Sequence, residues 1–113
     1  MADITDTYAI ASPTWPGLAK LMEECGEVIQ VLAKLMVAPD LDHTWTHPSG
    51  ATTGWGDLAD PLHEELGDLY AALTFFVQHN PQIDPDRYAQ RATEKYNTFV
   101  GWHEQGHLDK TSA

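Results

Sequence analysis

The sequence predicts an all-α fold, an antiparallel helical bundle, on three observations. Each sustained hydrophobic period along the chain recurs at three- and four-residue steps, the helical signature. Asp-Pro pairs mark helix starts, and prolines or a glycine mark the ends. No segment shows a hairpin signal, an internal repeat or low complexity. At 113 residues the chain is expected to be a single domain, 1–113, with a core too modest to cover wide apolar stripes. Completion of a four-helix bundle by dimerisation follows as an expectation, as a homodimer or a homotetramer built from dimers.

Residues 1–13 show no period; Tyr8 and Ile10 are candidates to pack on the body, and Pro13 and Pro16 restrict helix there. The first helix is expected from Trp15 or Pro16 to about Val37, before Pro39. Its stripe is Leu18, Leu21, Met22, Cys25, Val28, Ile29, Leu32, Leu35 and Met36. Gly26 inside it costs about 1 kcal/mol of helix propensity, which a close approach of another backbone would explain. Residues 38–60, rich in Gly, Thr, Asp and Pro, read as one long inserted loop, and a loop of that length in a small domain usually has a task. The second helix starts with Asp60 as cap and Pro61 in first position. It carries Leu62, Leu66, Leu69, Tyr70, Leu73, Phe76 and Val77, and stops at Asn80-Pro81. Asp84-Pro85 opens a third helix through Tyr88, Ala89, Ala92, Tyr96, Phe99 and Val100 to about Gly101, its aromatic stripe read as core. The tail from Gly106 is polar and read as frayed.

Hydrophobic residues at 42% and charged residues at 20% place the chain among globular proteins and exclude a disordered one. The 17 acidic and 6 basic side chains give a formal charge of −11. Such a surface repels a nucleic-acid backbone and an anionic membrane, so neither is expected as a partner. A free nucleotide is also anionic, and binding one requires metal ions or a few well-placed basic groups. Cys25 is the sole cysteine and forms no internal disulfide. No apolar run is long enough to cross a bilayer, and the opening MADITDTYAI has acids where a secretory leader has bases. A cytoplasmic location is the expectation.

The acidic residues carry the chemistry. The first helix holds Glu23, Glu24 and Glu27, and the second holds Glu64, Glu65 and Asp68. Glu24 and Glu27 are three apart and share a face, as do Glu65 and Asp68. Glu24 falls beside Val28 and Leu35, and Glu65 beside Leu69 and Phe76, at the edges of the apolar stripes. Two readings stand side by side. Paired acids on a helix form a solvated face, and those near a first turn suit the helix dipole. Alternatively the stripes pack together, the two pairs face one another, and a divalent cation offsets their repulsion. An all-oxygen set suits Mg²⁺ or Mn²⁺, and bound Mg²⁺ leaves coordination open for water and phosphate.

At these residues the chain resembles the all-alpha nucleoside triphosphate pyrophosphohydrolases, the MazG-like superfamily, which also holds dimeric dUTPases and dCTP pyrophosphatases. The resembling stretches are LMEECGEVIQVLAK at 21–34 and EELGDLYAAL at 64–73. Glu23, Glu24 and Glu27 match the family's Glu-Glu-x-x-Glu, and Glu65 and Asp68 match its Glu-x-x-Asp. The resemblance implies Mg²⁺ ligands at Glu24, Glu27, Glu65 and Asp68, with Mn²⁺ as a possible substitute; Glu23, which points further from the apolar stripe, is the candidate to orient or activate the attacking water, against the alternative that its carboxylate is only solvated. IDPDRYAQRATEKYNTF at 83–99 looks like the family's following helix, which implies phosphate-side roles for Arg91 and Lys95, with Tyr96 and Asn97 nearby. Lys34 matches a lysine common late in the first motif helix. The implied reaction is hydrolysis of a nucleoside or deoxynucleoside triphosphate to the monophosphate and pyrophosphate. Similarity spans residues 15–100, and residues 38–60 make the span between the motifs longer than in short members, which bears on base preference.

His43, Trp45, His47 and Trp55 sit in the inserted stretch. A zinc site at the histidines has no fixed geometry there. Trp55 is the candidate to stack on a nucleobase, a contact worth roughly 1–3 kcal/mol, against the alternative that either tryptophan anchors the loop; Trp15 has the same two readings. His63 and His79 read as surface residues and Cys25 as a buried structural thiol. GATTGWGD lacks the lysine and hydroxyl residue of a P-loop, which disfavours a kinase or P-loop NTPase. The rivals to the enzyme are a non-catalytic acidic helical adaptor for a basic protein and a metal-responsive regulatory module.

Overall fold

The computed structural model describes residues 8–37, 42–46 and 52–106, with 42–46 and 52–57 described by backbone alone. In order they form α1 (Leu18–Val37), β1 (Asp42–Thr46), β2 (Thr52–Asp57), α2 (Ala59–His79) and α3 (Pro85–Glu104). The chain divides into two compact units, one ending at Asn80 and one beginning at Pro81.

In the first unit α1 and α2 pack antiparallel, because the entry to α1 is tied to the end of α2. The Asn80 side chain is buried and its Nδ2 donates to the carbonyls of Pro16 at 3.0 Å and Phe76 at 2.8 Å. Trp15 stacks on Phe76 with ring centroids 5.9 Å apart. A turn leads into the helix, the Ala9 carbonyl accepting from the amides of Ser12 and Gly17. Gly17 has φ +84°, and a Cβ on it would lie 2.8 Å from Cδ1 of Phe75. Backbone and neighbouring ring together disfavour any other residue there.

The buried line of α1 is Glu24, Val28 and Val31, facing Ala72 of α2, with Leu58 sealed beneath the start of α2. Periodicity misplaces this line. At about 100° per residue, Val31, Leu35 and Val28 lie within about 40° of Glu24, while Met22, Cys25, Ile29, Leu32 and Met36 lie roughly 80–160° away. Those five are exposed, Met36 at 88% and Ile29 at 65%. Of the nine residues in the expected stripe Val28 alone is buried, with Leu18, Leu21 and Leu35 half-buried, and Cys25 is a surface thiol rather than a core one. Gly26 faces open space among the described residues, so no close backbone accounts for it.

Residues 42–46 and 52–57 form an antiparallel hairpin where one loop was expected. Threonine and tryptophan favour extended backbone, and DHTWT and TTGWGD are rich in both. The register pairs His43 with Gly56 and Thr44 with Gly54, which leaves Trp55 as the extra residue of a bulge. Helix α2 begins one residue before Asp60, with Leu58 in the cap position and no side-chain cap; Asp60 falls in the first turn, where its charge suits the dipole. His47 and the tail beyond Gly106 lie outside the described residues.

The second unit contains α3. Asp84 caps it, accepting from the amides of Asp86 at 3.0 Å and Arg87 at 3.4 Å, with Pro85 in first position. The helix passes Gly101 and ends at Glu104, and none of its residues is buried. Tyr88, Tyr96 and Phe99 are 41%, 66% and 52% exposed, so their stripe is not core. A unit whose described residues hold a single helix has no second element of its own to cover that stripe. No described helix is long and apolar enough to cross a membrane.

Candidate metal centre

Antiparallel packing brings the two acidic pairs together. Glu24, Glu27, Glu65 and Asp68 each place a carboxylate oxygen within 4.8 Å of the others. Burial grades across the group. Glu24 is buried, Glu27 and Glu65 are half-buried, and Asp68 is exposed. Glu24 stands in the buried line itself, at a position where stability alone would select an apolar residue. One oxygen each of Glu24 and Glu65 is buried without a hydrogen-bond partner. Buried acceptors are normally satisfied, so these two are atoms for which the fold supplies no donor.

The electrostatics match. Hydrogen bonding to Glu27, burial, and the charges of Glu27, Asp68 and Glu24 push Glu65 up to about 7. Loss of water, then Glu27 and Asp68, raises Glu24 above the usual carboxylate range, while Lys20 pulls the other way. Such a group retains protons unless a cation replaces them. An all-oxygen donor set with two orphaned buried oxygens fits a hard divalent ion, Mg²⁺ or Mn²⁺.

Beside the carboxylates lies an open cavity of about 380 Å³, bounded by Ile10, Lys20, Glu24, Asp68, Ala72 and Phe75. Phe75 is held against the His79 ring, centroids 3.9 Å apart, and His79 also bonds through Nδ1 to the Phe75 carbonyl. Lys20 and Phe75 were not singled out from the sequence. Lys20 had a signal, standing one helical turn before Glu24; Phe75 had none that separates it from Phe76.

The remaining residues singled out from sequence are placed as follows. Glu23 is not among the convergent four; it is exposed and accepts a hydrogen bond from Lys20 Nζ at 3.2 Å. Lys34 is half-buried in the last turn of α1. His63 and His79 are exposed, His63 Nδ1 lying 2.7 Å from the Ala59 carbonyl. On α3, Arg91 pairs with Glu94 at 3.7 Å, Lys95 lies 5.7 Å from the centre of the Phe99 ring, and Tyr96 and Asn97 are exposed. The side chains of His43, Trp45 and Trp55 lie outside the description.

Antiparallel helices thus bring four carboxylates together beside a cavity, a cluster that could hold a divalent cation. The MazG nucleotide pyrophosphohydrolase domain matches residues 17–99, and the chain belongs to that family. No curated protein and no solved structure matches it.

Proposed function

We propose that this protein hydrolyses a nucleoside or deoxynucleoside triphosphate to the monophosphate and pyrophosphate, with Mg²⁺, or Mn²⁺ in its place, held by Glu24, Glu27, Glu65 and Asp68. The observation that carries the reading is the convergence of those four carboxylates within 4.8 Å in a MazG-family chain. Bound Mg²⁺ would neutralise phosphate oxygens and favour attack by water. The protein's own part is positional. Glu24 is fixed by the core, and Asp68 stands at the solvent edge where a triphosphate arrives. Glu23, one residue outside the four, orients or activates the attacking water. Arg91 and Lys95 offset phosphate charge, arginine as a fork and lysine as a point charge, with Lys34, Tyr96, Asn97 and Trp55 as further substrate contacts. The 38–60 insertion, within a single MazG-like domain 1–113, shapes the base pocket.

The reading includes a homodimer, or a tetramer of dimers. Its support is the apolar residues left uncovered. Met22, Ile29, Leu32 and Met36 of α1 and Leu66 and Tyr70 of α2 are exposed. Each set is rotated about 120° in the same sense from its helix's buried line, and in an antiparallel pair this puts both on one side. The cavity-lining Lys20, Asp68 and Phe75 lie on the opposite rotation. A second copy covering the apolar side would complete a four-helix bundle and leave the cavity open. A reducing, cytoplasmic setting suits the lone free thiol.

The test is incubation with Mg²⁺ and a panel of ribo- and deoxyribonucleoside triphosphates, followed by separation of products. Release of pyrophosphate with monophosphate is expected. Release of orthophosphate would contradict the reading, and absence of turnover with every nucleotide would favour the acidic adaptor.

A further inference from the structure

We propose that Phe75 is the ring on which the nucleobase of the substrate stacks, and so the residue that distinguishes a nucleotide from a bare polyphosphate. The inference deepens the hydrolase reading and rests on it. Its ground is the way α2 builds one wall of the cavity. Asp68, Ala71, Ala72 and Phe75 all line it. The last three follow Asp68 by three, four and seven residues, so the set forms a single face of the helix. That face starts at a carboxylate of the four-acid centre and ends two turns on, roughly 10 Å along the axis, at an aromatic ring. Between the two stand only alanines, whose small side chains leave the depth of the cavity unfilled.

The cavity, at about 380 Å³, lies in the range of small-ligand sites. Its two parts differ in chemistry. Glu24 and Asp68 belong to the carboxylate centre, whereas Ile10, Ala71, Ala72 and Phe75 carry no side-chain donor or acceptor. An occupant that suits both parts binds a cation through one end and offers a flat, weakly polar face at the other. A nucleotide has that form: its phosphates meet the metal and its base meets the ring.

Phe75 is positioned for such a contact. It is half-buried, and His79, one turn on, covers one face of its ring with centroids 3.9 Å apart and planes 13° from parallel. His79 is itself anchored, its Nδ1 donating to the Phe75 carbonyl at 2.9 Å. Gly17 also comes so close that a Cβ there would stand 2.8 Å from Cδ1 of Phe75. With these neighbours setting the ring, what it gives to the cavity is its other face and its edge. A ring already fixed loses little side-chain freedom when a base settles on it. Stacking also needs no partner for the base edge, since every base has a π-face.

The experiment compares wild type with Phe75→Leu, which keeps an apolar side chain but has no π-face, and Phe75→Tyr, which keeps the ring. Calorimetry with saturating Mg²⁺ gives the Kd of the α,β-imido analogues of dATP, dGTP, dCTP and dUTP, which resist cleavage, and of inorganic tripolyphosphate, which has no base. KM on the triphosphate panel is read alongside. For Phe75→Leu the analogue Kd and KM are expected to rise roughly five- to hundredfold with each base, the range of one base–aromatic contact. Tripolyphosphate should bind as in wild type, which shows the centre and the fold intact. Phe75→Tyr should bind the analogues about as well as wild type. If Phe75→Leu does not fold, Phe75→Met, a more adaptable filler, serves the same comparison. Equal losses for analogues and tripolyphosphate would mean that the ring supports the centre, and unchanged analogue binding would mean that the base lies elsewhere; either result overturns the inference while the hydrolase stands. Analogue binding that depends on Phe75 in a protein without turnover would uphold the ring's role and sink the hydrolase. A wild type that neither binds the analogues nor turns over any nucleotide sinks both.

Discussion

Metal binding to the four-carboxylate centre is expected to expel protons. Glu65 is pushed up to about 7 by hydrogen bonding to Glu27, by burial and by three neighbouring charges. A carboxyl with that value is about nine-tenths protonated at pH 6, about half at pH 7 and about one-tenth at pH 8. A metal ligand must be ionised. Mg²⁺ binding should therefore release protons from Glu65, more at pH 6 than at pH 8, and Glu24, raised in the same direction, adds to the total at the acid end. Apparent Mg²⁺ affinity should fall with acidification and level off at alkaline pH, where both carboxyls are already ionised. The assay is calorimetric Mg²⁺ titration at each pH in two buffers of different ionisation enthalpy; the difference in apparent heat counts the protons. Binding with no proton release at pH 6, or an affinity indifferent to pH between 6 and 8, would falsify the placement of Mg²⁺ among these groups.

Asp68→Asn keeps the shape and removes one anionic ligand. It should abolish most turnover and weaken Mg²⁺ binding while the fold persists, and full activity with unaltered metal affinity would refute the four-carboxylate centre. Without metal, Glu24 and Glu65 have folded values above their unfolded ones, so each contributes stability that is fully present below about pH 4.5 and lost as pH rises through its folded value, about 7 for Glu65; melting in chelator should show this contribution fall as pH rises from 5 to 8, with Mg²⁺ restoring stability at pH 8, and a metal-insensitive melt at pH 8 would count against it. Gly17→Ala should cost about 1–3 kcal/mol, because it forces a Cβ into positive φ against Phe75, and an unchanged melting temperature would show that the turn is not as described. Ile29→Lys, on the uncovered side of α1, should give a monomer by sedimentation with helix content intact; an unaffected oligomer would move the interface elsewhere.

Which parts of this were readable in the sequence follows from how each signal is encoded. Glu24 with Glu27 and Glu65 with Asp68 are spacings within single helices, and the three-residue step fixes a shared face before any tertiary contact is known. Asp84 with Pro85 is likewise a local rule, and the cap forms as written. The buried side of α1 was less legible. That helix is apolar over Leu21, Val28, Val31 and Leu35 and again over Met22, Cys25, Ile29, Leu32 and Met36, and a periodicity spread over both does not say which faces α2. Val31, buried at 7%, was passed over, while Met36, 88% exposed, was counted as core. The hairpin lacked the usual two-residue glycine turn between alternating apolar runs, so only its threonines and tryptophans pointed to strand.

The same ambiguity in α1 has a physical source. A helix that buried its apolar residues to best advantage would turn Ile29 and Leu32 toward α2. Instead the line toward α2 passes through Glu24, and Ile29 and Leu32 are left 65% and 43% exposed. In metal-free protein that orientation buries a carboxylate with an orphaned oxygen and uncovers apolar surface, a twofold cost against the hydrophobic effect. It becomes favourable when a cation compensates Glu24 and Glu65 on one side and another apolar surface covers Met22, Ile29, Leu32 and Met36 on the other. Metal binding and self-association would therefore both stabilise the one helix rotation that converges the carboxylates. Local rules disagree with the fold at the places where it supports the centre, as expected when a sequence serves a site as well as a core.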